Sequence, residues 1–515
     1  MRQKKAIINS GINFLTFFIT LIPNLFIQQI FLHVLGEDLR GLNGLYGNII
    51  GWLSIVELGV GTAIIFSLYK PFANNDHSKV RAYLKFYKQF YLKAGLFILI
   101  AGLIITPFLS FFIENKDINM YLVNTGFILY LLNSFISYLF SSKLCILTVA
   151  QEGYKLSLGT TISKLIIFLL QFIILKNYPS FLLFIAIQLI INFAYYIVIN
   201  IYTTSRYPWL KDGKESLEIS ERNRLLKSVK AMFMHKIGSL FVFSTDNLVI
   251  SKFLGLAQLG YYLNYNLIIN AAQNLIGSAQ HGITASVGNL LVEKDSEYAC
   301  EIHKKIFFLN FWISSFVAIS LYNTLNQFIS LWIGEKYLLD SLTYSILIIN
   351  CYFYLMRQSI ERFKEASGNY IQDRYAPLAE GIINLISSLI LIQYFGLAGV
   401  FIGTLISNLT VLFWVQPYVV YKYVFKAKLI DYILMYLKYT SIGFIVLLIT
   451  IPITNIFKFE YNAVNFIVNC LLNIIIINGI YVLLFFKKSE FQYFLNILQK
   501  IIGRKNGTLS NSVAD

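Results

Sequence analysis

A few ionisable side chains fall inside stretches of sequence that are otherwise almost wholly apolar: Glu57, Lys164, Asp246, His281, Arg357, Glu361 and Glu380. In a hydrocarbon layer each is expensive unless it has a partner or borders water, so such residues mark ion or substrate pathways by default. Lys164 lies roughly 12 Å past the inner end of its apolar segment, and Asp246 roughly 12 Å short of the outer end of its own, at ~1.5 Å per helical residue. Neither snorkels easily to bulk water. Two readings follow. In one, Lys164, His281 and Arg357 attract an anionic headgroup while Glu57 and Asp246 act as counter-ions or protonation sites. In the other, the same charges pair with one another and fix a helix bundle. Arg357 and Glu361, four apart near an interface, have the spacing of a helical ion pair. Lys252 is close enough to the outer surface to anchor there.

Uncharged polar residues gather on faces. Asn9, Asn13, Thr16, Thr20, Asn24 and Gln28 recur at steps of three or four, as do Asn266, Asn270, Gln273 or Asn274, Gly277 and His281. His235, Ser239 and Asp246 share another face. Asn and Gln hydrogen-bond between helices in any membrane bundle, but a stripe that runs the full depth of a segment exceeds what packing needs. The expectation is a water-filled cavity to which Asn24, Gln28, Asn270 and Asn274 contribute. Pro23 and the Gly59-Val60-Gly61 run after Glu57 mark places where membrane helices kink or pack closely.

The elements that position these residues follow from composition. Of 515 residues 57% are hydrophobic and 13% charged, with a mean hydropathy of +0.64, against about 25% charged in soluble domains. Apolar runs near the ~20 residues needed to cross a bilayer recur from end to end. They predict an all-α integral membrane protein of about fourteen spans, near 6–32, 42–68, 88–113, 120–150, 156–175, 181–203, 232–254, 261–291, 306–333, 342–360, 376–394, 397–421, 432–457 and 463–486. With the N-terminus inside, only Arg40, Lys116, Lys176, Lys252, Lys336 and Lys458 of the 42 Lys and Arg fall on the outer side. That asymmetry places both termini in the cytoplasm. It also accounts for the net charge of +16 without nucleic acid.

A weak internal repeat divides the chain. Leu35-Gly36 and Gly41 recur as Leu254-Gly255 and Gly260, and Gln151-Glu152-Gly153-Tyr154 recurs as Gln372-Asp373-Arg374-Tyr375. A repeat of six spans gives two parallel lobes related by an axis along the membrane normal. The expected organisation is a first lobe over 1–203, a cytoplasmic linker over 204–231, a second lobe over 232–421, two further spans over 422–486, and a cytoplasmic amphipathic helix and tail over 487–515. In the linker, Ser220 followed by Glu221 can cap a helix whose apolar stripe is Leu225, Leu226 and Val229. At the end, Phe491, Phe494, Leu495, Leu498 and Ile502 have the spacing of a helix lying on the inner leaflet, with Lys500, Arg504 and Lys505 beside it.

Several chemistries are not indicated. The basic start, Met1-Arg2-Gln3-Lys4-Lys5, runs into a full span without a small-residue cleavage site, unlike a cleavable signal peptide. Cys145, Cys300, Cys351 and Cys470 are scattered, with no CxxC or Cys/His cluster, so neither a disulfide framework nor a metal site is expected. There is no P-loop, HExxH or GxSxG motif. The outer loops are too short to hold the catalytic loop of a membrane glycosyltransferase or polymerase. A transporter, not an enzyme, is expected, and no cofactor.

The segments ELGVGTAI (57–64), SLYKPFANND (67–76), SVKAMFMHKIG (228–238), STDNLVISKFLG (244–255), ASVGNLL (285–291), QDRYAPLAEGIINL (372–385) and FGLAGVFIGT (395–404) resemble the polysaccharide repeat-unit flippases (Wzx-type) of the multidrug/oligosaccharidyl-lipid/polysaccharide exporter superfamily, in the form found in Gram-positive and related bacteria. The resemblance implies two six-helix lobes around a central cavity that opens alternately inward and outward. It implies a bacterial cytoplasmic-membrane flippase for undecaprenyl-diphosphate-linked oligosaccharide in capsule, exopolysaccharide or surface polysaccharide synthesis. Membrane lipids are its surroundings, and a polysaccharide polymerase and glycosyltransferases are candidate partners. Proton or sodium coupling occurs among relatives. Only Glu57 and Asp246 sit inside matching segments; Lys164 rests on the physical argument alone. The rival readings are a drug, small-molecule or lipid II exporter of the same superfamily and, further off, a membrane enzyme that joins sugars.

Overall fold

In the computed structural model the described residues are 2–57, 59–114, 118–211, 215–369, 372–456, 462–497 and 499, with side chains described for these except 2–10, 227–228, 230–244, 281–282, 285 and 455. They form helices and connecting turns, with no strand among them. In chain order the helices are α1 (Arg2–Leu35), α2 (Glu37–Leu53), α3 (Val60–Ala73), α4 (His77–Ile105), α5 (Met120–Val149), α6 (Gly153–Asn177), α7 (Phe181–Arg206), α8 (Ile219–Phe253), α9 (Gly255–Glu293), α10 (Ser296–Trp332), α11 (Ser341–Ser367), α12 (Ala376–Ser407), α13 (Phe413–Val419), α14 (Leu429–Ile456) and α15 (Asn462–Phe485).

Helix starts are set by short polar caps. Asp76, Asn119, Ser180, Asp295 and Asp340 each accept a hydrogen bond from a backbone N–H of the first turn that follows, satisfying donors the helix itself leaves open. Breaks are set by glycine. Gly59 (φ +88°) separates α3 from the 3-10 turn Ser54–Glu57, so the predicted span 42–68 is two helices. Gly396 (φ +54°) kinks α12 between the two predicted spans 376–394 and 397–421. Among the described residues nine helical stretches are long and apolar enough to cross a membrane, or ten with the bent α2–α3 pair. α8, α9 and α11 are as long but more polar, and Ala376–Phe425 counts as one run until Gly396 divides it. With these the architecture is consistent with fourteen spans.

The chain groups into two compact units. One runs through Leu263 and includes Pro377–Val400; the other holds Asn264–Ala376 and continues from Phe401. In the first, α5 packs on α4 and α7, α1 on α6, and α2 and α3 on α8. Tyr46, Phe127 and Phe181 are fully enclosed there, and the Tyr46 hydroxyl donates to the Val123 carbonyl at 2.6 Å. In the second, α10 packs on α11, α14 and α15 around Phe307, Phe311, Tyr432, Tyr439 and Tyr481. His303 is fully buried among these rings, with Phe363 edge-on at 5.1 Å.

The repeated motifs occupy matching local structure. Gly36 and Gly255 both take φ +85°, and each starts a helix. A Cβ on Gly41 would lie 1.9 Å from the Leu256 carbonyl oxygen, and one on Gly260 would lie 2.5 Å from the Glu37 carbonyl oxygen. The first turns of α2 and α9 therefore cross backbone to backbone, each through the other's glycine. At the second motif, Glu152 is buried and ion-paired with Lys155 (2.7 Å) and Arg206 (3.7 Å). Its counterpart Asp373, likewise buried, pairs with Lys364. Both turns thus hide a carboxylate against a cation.

The linker departs from expectation at its helix start. α8 begins at Ile219 after Glu218, whose side chain makes no cap bond, so Ser220 lies inside the helix instead of capping it. Glu221 is drawn to Lys79. Farther back, His77 stacks on Trp209 (centroids 4.3 Å, 5°), and Arg81 donates to the Trp209 carbonyl at 3.2 Å and pairs with Glu215. The Arg81 hydrogen bond holds the Glu215 carboxyl below its ordinary range. At the other end, residues 489–497 are helical, and Phe491 stacks on Trp312 with centroids 5.8 Å apart. Part of the apolar stripe expected on the leaflet is thereby spent on α10; Leu498, Lys500, Ile502, Arg504 and Lys505 lie outside the described residues.

Candidate functional site

Lys164 is an exposed side chain on α6. α6 runs parallel to α1: Ser157 Oγ donates to Asn13 Oδ1 at 2.6 Å, and fifteen residues on, Phe172 meets Phe26 with ring centroids 6.0 Å apart. At 100° per residue, Leu158, Ile162, Ile166, Leu169 and Ile173 form one apolar, exposed arc of α6. Ser157, Thr160, Lys164 and Gln171 fall on a different arc. Gln171 is buried and donates to the Phe184 carbonyl at 3.0 Å. Lys164 thus leaves the helix on its polar side, level with the middle of the α1 stripe. Among the described residues it has no hydrogen-bond or ion-pair partner. Asn24 and Gln28 on α1 are half-buried, and the Gln28 Oε1 atom is enclosed without a hydrogen-bond partner among the described residues. The α1–α6 pair therefore carries an exposed cation on α6 and, farther along α1, an enclosed amide oxygen without a partner among the described residues.

Glu57 has an elaborate setting. It ends the 3-10 turn before Gly59, and the hydroxyls of Tyr91 and Tyr138 hydrogen-bond its carboxylate, with Tyr87 near enough to sense its charge. All three tyrosines are buried; Tyr87 and Tyr91 meet edge-on at 4.3 Å, and the Tyr138 hydroxyl also reaches Ser54 Oγ at 3.2 Å. Gly61 makes the room, since a Cβ there would stand 2.9 Å from the Tyr91 hydroxyl and 3.2 Å from that of Tyr87. Two phenols thus donate to the carboxylate and hold it in one orientation. Glu57→Leu would strand the phenols and cost about 1–3 kcal/mol, whereas Glu57→Gln keeps an acceptor and is expected to unfold within a few degrees of the unsubstituted protein. Thermal unfolding of purified protein checks both.

Asp246 is buried between two sequence neighbours that bond to amides. It is 8% exposed, Thr245 reaches Asn384 Oδ1 at 3.3 Å, and Asn247 Nδ2 donates to Asn48 Oδ1 at 3.0 Å. Tyr262 is close enough to sense the Asp246 charge. His235 and Ser239, expected on the same face, have side chains outside the described residues, as does His281.

In the second unit, Asn270 and Asn274 are exposed on α9, with Ser278 one turn on. Arg357 borders a pocket of only about 10 Å3 with Asn408, Tyr432 and Tyr436, and its guanidinium lies 5.8 Å from the Tyr354 ring. Glu361 meets Arg362 at 3.6 Å, and Arg362 also binds Glu365 at 2.8 Å and Gln358 at 2.8 Å. In the first unit, Glu380 is 6% exposed.

Sequence reasoning missed the tyrosines around Glu57, although Tyr87 and Tyr91 stand four apart on one helical face. It placed Arg40 in an outer turn. The helix starts earlier, and Arg40 is buried within α2 beside Tyr130, whose hydroxyl donates to Asn43 Oδ1 at 3.0 Å. Among the described residues no group of His, Cys, Asp and Glu has the arrangement of a metal site.

No family model and no curated protein matches the sequence. Solved structures do match the fold. A lipid II flippase, MurJ, in an inward closed conformation is 15% identical, with 92% of this chain and 99% of that chain covered and a TM-score of 0.69. An inward-facing multidrug resistance MATE transporter of the MOP superfamily is 14% identical, covering 80% and 98%, with a TM-score of 0.56. A MOP superfamily transporter from Pyrococcus furiosus is 14% identical, covering 81% and 96%, with a TM-score of 0.54. The protein is therefore a multi-pass helical membrane protein with the fold of MOP-superfamily transporters.

Proposed function

We propose that this chain flips an undecaprenyl-diphosphate-linked oligosaccharide from the inner to the outer leaflet of a bacterial cytoplasmic membrane by alternating access. The observation that carries the reading is Lys164: an exposed cation on the polar side of α6, beside the amide-rich face of α1. A diphosphate-sugar head must cross hydrocarbon, and a hydrated polar face bearing positive charge lowers that cost. The same lysine repels a cationic drug. Asn24 and Gln28 supply hydrogen bonds to sugar hydroxyls, Asn270, Asn274, His281 and Arg357 belong to the second lobe's share of the path, and Glu57 and Asp246 are its protonation or counter-ion sites. The lobes are 1–203 and 232–421, joined by 204–231, with 422–486 added and both termini cytoplasmic. Coupling to a proton or sodium gradient needs no cofactor, and no bond is made or broken in the sugar. A polymerase and glycosyltransferases act before or after it in the same synthesis.

The greater share of this chain covered by the lipid II flippase than by the MATE transporter, about the length of α14 and α15, supports a lipid-linked cargo. Lipid II also carries a diphosphate, so that reading shares the Lys164 argument, and drug export is equally compatible with the fold. Deletion of the gene separates them. The proposal expects loss of surface polysaccharide and accumulation of lipid-linked repeat units. Accumulated lipid II with intact polysaccharide would move the assignment to lipid II, and drug sensitivity alone would move it to an exporter. Purified protein in liposomes that joined sugars without moving them would overturn transport altogether.

A further inference from the structure

The first unit contains a half-open cavity of about 440 Å3, lined by apolar side chains alone, that plays no part in the polar faces described above. Trp52 and Leu53 of α2 stand on one wall, Leu248 of α8 on another, and Phe108, Phe111 and Phe112 on a third. The phenylalanines are there because α4 tightens into a 3-10 helix over Thr106–Phe112, with Pro107 at its start and Thr106 Oγ1 bonded back to the Gly102 carbonyl at 2.9 Å. Three residues per turn bring Phe108 and Phe111 onto one side, and both are more than 60% exposed. Lys252 lies four residues beyond Leu248, on the same side of α8, and its ammonium stands 4.1 Å from the centre of the Phe111 ring. Among the described residues no carboxylate lies within ion-pair distance of it.

An apolar cavity of this size does not hold water or sugar; in a bilayer, hydrocarbon fills it. A cation at the rim, near the helix end where headgroups lie, selects what the hydrocarbon is attached to. We propose that this cavity is a binding site for an anionic phospholipid, one acyl chain between Trp52, Phe111 and Leu248 and the phosphate on Lys252. The site goes beyond the transport reading and holds whichever substrate the protein carries.

Photo-crosslinking tests it. The full chain in nanodiscs is exposed to phosphatidylglycerol or phosphatidylcholine carrying a diazirine on one acyl chain, and adducts are mapped by peptide mass spectrometry. Phosphatidylglycerol is expected to label the peptides holding Trp52, Phe111 and Leu248 about tenfold more than phosphatidylcholine. Lys252→Gln should bring it down to the phosphatidylcholine level, and Lys252→Arg should keep it. Leu248→Trp, which narrows the cavity at its α8 wall, should reduce labelling by both lipids. Equal labelling by the two lipids, or labelling unchanged in Lys252→Gln, overturns the headgroup assignment; labelling unchanged in Leu248→Trp overturns the seat of the chain.

Discussion

Gly41→Ala is expected to be among the most disruptive single-methyl additions in this protein. The new Cβ would lie 1.9 Å from the Leu256 carbonyl oxygen, a backbone atom that cannot rotate away. Either the first turns of α2 and α9 separate or the helices shift bodily, and overpacking of this kind costs about 1–3 kcal/mol or more. Gly260→Ala meets the Glu37 carbonyl from the other side and should act in the same direction. The two changes share one contact, so the double variant should cost less than the sum. Thermal unfolding of purified protein measures the loss. A cysteine pair across the two turns, probed by disulfide formation, measures the separation. Unchanged crosslinking and unchanged unfolding in Gly41→Ala would refute the close approach. Where transport requires these turns to part and rejoin, the same alanine should also slow turnover, because one of the two conformations becomes harder to reach.

Lys164→Ala is expected to have the opposite profile: near-normal membrane level and unfolding temperature, with transport reduced about tenfold or more. Stability should hold because Lys164 has no ion-pair partner among the described residues and its side chain is exposed. Transport should fall because the charge itself is the contribution, about 1.5–3 kcal/mol for a lost charged hydrogen bond. Lys164→Arg should keep most of the activity and Lys164→Glu should abolish it. Complementation of a deletion strain, scored by surface polysaccharide with protein level measured alongside, reads all three. Full activity in Lys164→Ala would remove this residue from the site.

The helical architecture was legible because a bilayer leaves few alternatives: backbone groups must be satisfied within each segment. Apolar runs of the right length then mark helices whatever their neighbours, and among the described residues each predicted segment is mainly helical. The repeat was legible at its glycines, where Gly36 and Gly255 share a φ value that side chains avoid. What stayed hidden depended on distant partners. Glu57 shows as an intramembrane carboxylate, but nothing in a chain with 35 tyrosines singles out Tyr91 and Tyr138 as its donors. Ser220 has the composition of a cap, and only tertiary structure reveals that Glu221 goes to Lys79. Arg357 and Glu361 have the spacing of a helical pair, yet Glu361 turns to its adjacent residue Arg362 at 3.6 Å.

The helical residues 489–497 have a practical bearing on how the protein is handled. Phe491 covers Trp312, Phe494 joins the aromatic cluster of the second unit, and Lys305 rests over Tyr493 at 4.5 Å. A fluorescent reporter or protease site spliced in directly after α15 would peel these rings from α10 and expose a greasy patch to solvent. The same insertion placed beyond Gln499 leaves that seal in place, so the choice of junction separates a well-behaved sample from an aggregating one.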